Sequence, residues 1–208
     1  MNIHKSHIEN ILHNTINALR TLYRAGQFEG TTFQSASEIG SRLVFPHKRR
    51  RKERVSEQEL RFTFVEQFYR YLSSPDGADW NVYYSIETPT QNEYSLSSKG
   101  ERSANVDLVL YDSTGKRIAL IEFKALNPGE YEHMKDTFKL RNEPGGALRY
   151  FVEIVTSRDS GTFNNIESKL QKTNYRSKKF RVSEVNDQRV TYMLACLADT
   201  DAPVVKEI

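Results

Sequence analysis

The stretch ANVDLVLYDSTGKRIALIEFKA, residues 104–125, sets two apolar runs on either side of a polar segment containing Gly115. Both runs carry β-branched residues, and the segment between them has turn chemistry, so the stretch is expected to fold as a β-hairpin. The second run is unusual for the middle of a sheet, because Glu122 and Lys124 interrupt it. An acid or a base in a buried strand loses hydration that only a partner can offset. The two-residue side-chain period of a strand puts Glu122 and Lys124 on one face. Where Asp107 falls depends on the register. A four-residue loop, Ser113 to Lys116, sets Asp112 opposite Arg117 and Asp107 opposite Glu122. A three-residue loop turns Asp107 to the other face unless a bulge restores the pairing.

Two carboxylates facing each other across a ladder repel, and a cation is needed to hold both ionised. Magnesium suits that need, since it takes one or two carboxylates together with water and phosphate oxygens. A lysine beside it can orient a water nucleophile or neutralise charge on a phosphate oxygen. The competing reading makes Glu122 and Lys124 an exposed salt bridge on an edge strand.

Working upstream, Ser56 with Glu59 three residues later is a capping-box signature. Leu60, Phe64, Phe68 and Tyr71 then recur on one helical face until SSPDG, residues 73–77, stops the helix. Glu57 projects onto that inward face, where it either reaches the carboxylates or complements the helix dipole. WNVYYSIE, residues 80–87, alternates with Trp80, Val82, Tyr84 and Ile86 on one side. Pro89 is expected to end that strand, leaving residues 90–102 as a loop.

Downstream, a helix is expected from near Glu130, a buried strand over 149–157, and a helix over 162–171 with Phe163, Ile166 and Leu170 inward. Two more strands are expected around 180–185 and 190–198. Residues 3–24 read as an amphipathic helix with Ile8, Ile11, Leu12, Leu19, Leu22 and Tyr23 on its stripe. Residues 1–50 are read as a helical extension ahead of a domain spanning 51–208. The whole is α/β, with a mixed sheet of about four to six strands flanked by helices.

Glu57 in SEQELRF, Asp107 in NVDLVLYD, and Glu122 with Lys124 in IEFKA occur in an order that resembles the PD-(D/E)XK nuclease superfamily. The resemblance covers roughly residues 55–160 and implies a restriction-endonuclease-like fold with an αβββαβ core. Val106 stands where the name-giving proline would sit, a position that varies in that family. The resemblance implies a metal-dependent endonuclease that hydrolyses phosphodiester bonds, with DNA as the expected substrate. Asp107, Glu122 and the backbone carbonyl of Phe123 would ligate Mg2+ or Mn2+, Lys124 would assist the attacking water, and Glu57 would complete the site. Some members add a polar residue from the helix after the Glu-x-Lys strand. Lys135 and Lys139 are candidates for that role, against the reading of both as solvated lysines.

The bulk properties leave this open. The chain has 208 residues, 38% hydrophobic and 27% charged, with a formal net charge of +3, too small to indicate nucleic acid by itself. The charge is concentrated in HKRRRKER, residues 47–54, and RSKKFR, residues 176–181. Lys48, Arg49, Arg50, Arg51, Lys52 and Arg54, with Lys135, Lys139, Lys178 and Lys179, are the candidate nucleic-acid contacts; the first run also reads as a solvated linker. The single cysteine, Cys196, excludes an intrachain disulfide and is expected to fill the core. His4 and His7 read as exposed and isolated, and His133 as a surface helix residue. Glu153 either faces the site or pairs with an arginine. No run of about 18 apolar residues exists and the N-terminus lacks a signal-peptide core, so a cytoplasmic protein is expected. Residues 1–50 are a candidate homodimerisation element. A non-catalytic nucleic-acid-binding or assembly module of a defence or repair complex, keeping the same fold, is the alternative function.

Overall fold

The computed structural model describes residues 3–26, 36–44, 47–48, 52–53, 55–95, 102–126, 129–158, 162–163, 165–166, 168 and 180–208. Helices α1 (Ile3–Gly26), α2 (Glu57–Leu72) and α3 (Glu130–Asn142) flank one large sheet. Its strands are β3 (Val82–Ser95), β4 (Arg102–Asp112), β5 (Arg117–Ala125), β6 (Leu148–Val155), β7 (Arg181–Val182), β8 (Thr191–Cys196) and β9 (Val204–Glu207). A separate ribbon pairs β1 (His47–Lys48) with β2 (Lys52–Glu53).

The seven-stranded order is β7-β3-β4-β5-β6-β8-β9. The β5–β6 and β6–β8 pairs are parallel and the others antiparallel. A parallel neighbour requires a crossover, which α3 provides between β5 and β6. The sheet is larger than expected because Val204–Glu207 pairs with β8.

Alternate side chains of the sheet feed two cores. Ile121, Phe123, Tyr150, Val152 and Met193 pack with α1 and α2, through Ile8, Leu12, Leu60 and Phe64. Leu120, Phe151, Tyr192 and Leu194 pack on the other face with Leu140 of α3 and Ile166. The molecule is therefore a helix–sheet–helix sandwich. Although the sequence reads α1 as an extension, its apolar stripe lies in the same core as α2. Arg20 ties α1 to the end of β8 by donating to Cys196 O at 2.9 Å and pairing with Asp199 at 3.2 Å. His4 and His7 are half-buried rather than exposed: Trp80 donates to His4 at 3.0 Å, and His7 stacks on the Trp80 ring and meets the Tyr71 hydroxyl.

The start of α2 follows from its cap. Ser56 is extended (φ −145°, ψ 173°), its hydroxyl accepts from the Gln58 amide, and it also bonds the Glu59 carboxylate. The expected end of β3 at Pro89 is not observed. The strand continues to Ser95 with an irregularity between Pro89 and Glu93. Buried Glu143 explains the continuation: it accepts from the Gln91 and Asn92 amides, at 2.9 and 3.2 Å, and from the Tyr94 hydroxyl at 3.0 Å. Ile86, expected on one side with Trp80 and Val82, is 53% exposed whereas those two are buried. Leu170 lies outside the described residues, whereas Ile166 is buried as expected.

Candidate functional site

The register of the central hairpin decides where Asp107 falls. Its turn closes early: the Asp112 amide donates to Lys116 O, the Gly115 amide donates to Asp112 O, and Tyr111 pairs with Arg117. Gly115 has φ +81°, a conformation that glycine adopts without a Cβ penalty. This turn alone would send Asp107 to the wrong face. A bulge between Leu110 and Tyr111 corrects it, so that Leu110 pairs with Ala119, Val109 with Leu120 and Leu108 with Ile121. One step further along that register Asp107 reaches Glu122.

At this step the sheet forks. Beyond Leu108 and Ile121, β4 pairs only with β3, and β5 only with β6. Val106 packs in the α3-side core and Leu108 in the opposite one, so β4 twists sharply at Asp107. Across β3, Glu87 has φ +47°, uncommon for a residue with a side chain. The twist aims Asp107 edgewise into the fork, where Oδ2 accepts from the Phe123 amide at 2.8 Å. Phe123 thus enters the site through its N–H. Asp107 Oδ1 pairs with Arg61 of α2 at 2.8 Å, and Arg61 also holds Glu87 at 2.8 Å. Arg61 is 7% exposed and lies one turn after Glu57.

Glu122 and Lys124 face α3, as their spacing requires. Glu122 Oε1 is 2.6 Å from Lys139 Nζ, a close ion pair without hydrogen-bond alignment. Lys124 Nζ is 2.9 Å from Asp136 Oδ2 and 3.3 Å from Glu57 Oε1. Asp136 Oδ1 in turn pairs with Lys139 at 3.1 Å, and the Lys139 ammonium also donates to Asn105 O at 2.6 Å. Glu57 is the outermost member, its side chain 40% exposed. The four residues expected to carry catalysis are therefore brought together, with Arg61, Asp136 and Lys139 among them.

Charge states follow from burial and neighbours. Burial pushes the Glu122 carboxyl well above the usual glutamate range; Lys139 pulls it down, and Asp136 and Asp107 push it further up. Burial opposes the Asp136 charge too, but Lys139, Lys124 and Lys135 hold that carboxyl below the ordinary aspartate value. Burial disfavours both ammonium groups, yet Asp136 with Glu57 and Glu122 holds Lys124 above its usual range, and Glu122 with Asp136 does the same for Lys139.

The inward face of α3 was not legible as such in the sequence. His133, Asp136, Lys139 and Asn142 recur every third residue and all are buried, so Lys139 is not the solvated lysine expected. Lys135 is partly exposed and pairs with Glu132 at 2.6 Å. Among the described residues Glu153 pairs with neither an arginine nor the fork: its Oε2 lies 2.7 Å from His133 Nε2 and accepts from the Tyr192 hydroxyl at 2.5 Å. His133, expected on the surface, is fully buried. Cys196 is buried, as expected for a core residue. Among the basic candidates, Lys48 and Lys52 are Cα partners in the β1–β2 ribbon. Arg49, Arg50, Arg51, Arg54, Lys178 and Lys179 lie outside the described residues.

The donors at the fork fit a hard cation in kind, being carboxylate and carbonyl oxygens. Both Asp107 oxygens and Glu122 Oε1 are, however, engaged by Arg61, the Phe123 amide and Lys139. Among the described residues no group of three or more His, Cys, Asp or Glu side chains is placed to hold a metal, and no helix is long and apolar enough to cross a membrane. Comparison with family models, with curated proteins and with solved structures found no match to this chain.

Proposed function

We propose that this chain is a metal-dependent nuclease of the PD-(D/E)XK type, hydrolysing phosphodiester bonds in DNA. The observation that carries the reading is the fork, where Asp107 reaches the backbone of Phe123 between Glu122 and Lys124, and Lys124 also meets Glu57. The α2-β3-β4-β5-α3-β6 order supports the restriction-endonuclease-like core. Asp107 and Glu122 would hold Mg2+ or Mn2+, which when bound supplies electrophilic activation of a phosphate oxygen and of water. Lys124, kept protonated by Asp136 and Glu57, would orient the attacking water and neutralise charge on the phosphate. Glu57, at the solvent end of the cluster, would accept a hydrogen bond from that water. The β1–β2 ribbon precedes α2 directly, so its basic residues would track the nucleic-acid backbone near Glu57.

Plasmid cleavage with Mg2+ or Mn2+ tests this. Wild-type protein is expected to nick or linearise DNA only with metal, and Asp107→Ala and Lys124→Ala are expected to lose activity by at least about a hundredfold. Cleavage that survives Asp107→Ala or chelation would count against the assignment.

A second reading has its own support. Arg61 and Lys139 already compensate the two acids, which is what a binding or assembly module keeping this fold without the chemistry would need. Calorimetry separates the two: a binding-only protein takes up no Mn2+ that Glu122→Gln abolishes.

A further inference from the structure

We propose that Lys139 holds the cation position at Glu122 with its own ammonium, so that a divalent ion and Lys139 compete for the same oxygens. This rests on the metal-dependent reading above and adds a residue that no motif spacing assigns to metal control.

The Lys139 ammonium has three oxygen neighbours: Glu122 Oε1 at 2.6 Å, Asn105 O at 2.6 Å and Asp136 Oδ1 at 3.1 Å. Two carboxylates and a backbone carbonyl are the donors a hard divalent ion selects. Asn105 belongs to β4 and Glu122 to β5, so the ammonium bridges the two limbs of the fork where the ladder between them has ended. Its side chain is 5% exposed, and it pairs with Glu122, whose charge Asp136 and Asp107 both oppose. A buried carboxylate with no partner is strongly unfavourable, and Lys139 gives Glu122 a cationic partner at 2.6 Å.

An ammonium and a dication cannot both sit against Glu122 Oε1, because like charges a few ångströms apart repel strongly in a poorly hydrated site. Metal entry therefore requires Lys139 to withdraw, which its flexible four-carbon stem permits. Asp136 makes the exchange selective. Its other oxygen holds Lys124 at 2.9 Å, so the lysine assigned to the chemistry keeps its anchor while Lys139 leaves. Apparent metal affinity is lowered by the fraction of molecules in which Lys139 is seated.

Mn2+ binding to the full chain, measured by titration calorimetry and by loss of the free Mn2+ electron-paramagnetic signal, tests this with wild type, Lys139→Gln and Glu122→Gln. Lys139→Gln is expected to bind Mn2+ about tenfold or more tightly than wild type, and Glu122→Gln to lose the site. A second measurement needs no variant. Lys139 of wild type is expected to resist an amine-acylating reagent and to become labelled when Mn2+ is added, as read by peptide mass spectrometry. Exposed Lys116 serves as the unchanged control. Unchanged or weaker affinity in Lys139→Gln, or Lys139 protection that saturating Mn2+ does not lift, overturns the proposal. If wild type binds Mn2+ through Glu122 and Lys139→Gln matches it, only this inference falls. If no variant takes up Mn2+, the metal-dependent reading falls with it.

Discussion

Asp136→Asn is the sharpest test of how the cluster is held together. Asp136 is 2% exposed and bridges two buried ammonium groups, Lys124 at 2.9 Å and Lys139 at 3.1 Å. The substitution keeps the volume and removes the charge. Losing one member of a buried ion pair costs about 3–5 kcal/mol when its partner is left uncompensated. Here each lysine keeps a second carboxylate, Glu57 at 3.3 Å and Glu122 at 2.6 Å. Asparagine also keeps one acceptor, so the expected loss is about 2–4 kcal/mol, a large part of the roughly 5–15 kcal/mol that holds a domain folded. Urea unfolding should show a lower midpoint with an unchanged slope. The exposed pair Glu132–Lys135 provides the control, and Glu132→Gln is expected to stay within about 0.5 kcal/mol of wild type. The pH dependence carries a sign. The Asp136 carboxyl titrates below its ordinary value of 3.8 in the folded state, so its contribution is present above that value. It disappears as pH falls through the lowered folded value, and the gap between wild type and variant should close there. A loss no larger than that of Glu132→Gln at neutral pH would refute a structural role for the bridge.

Glu122 should behave in the opposite sense. Its folded value lies well above the ordinary 4.5, so its burial favours folding below that value and costs stability as pH rises through the raised one. The stability of Glu122→Gln relative to wild type, from melting curves taken between about pH 4 and 8, should therefore rise with pH, by up to about 1.4 kcal/mol per pH unit. A flat difference would show that Lys139 compensates Glu122 fully. Arg149, 5% exposed, donates to four carbonyls, Leu140, Glu143, Gly145 and Ala147, at 2.5–2.9 Å, and so closes the C-terminal end of α3. Arg149→Met is expected to cost about 3–5 kcal/mol in urea unfolding and to speed amide exchange in the last turn of α3; a loss under about 1 kcal/mol would contradict that role.

The sequence by itself determined the features whose cause is local. Ser56 caps α2 because its hydroxyl accepts the orphan Gln58 amide whatever the helix packs against, while Glu59 meets that hydroxyl rather than a backbone amide. Glu122 and Lys124 share a face because a strand's period is two. Tertiary structure decided the rest. Asp107 meets Glu122 only through a bulge that compensates a three-residue turn, and such an offset has no residue signature in Ile118, the β5 residue it leaves unpaired. Pro89 does not end β3, because Glu143, distant in sequence, accepts the amides of Gln91 and Asn92. The buried face of α3 was hidden for a related reason. In a sequence, His133, Asp136, Lys139 and Asn142 have the pattern of a solvated stripe, since helical periodicity reports polarity and not which side meets the protein. That stripe turns inward because β5 presents Glu122 and Lys124 to it, and buried charges are stable only where opposite charges meet them.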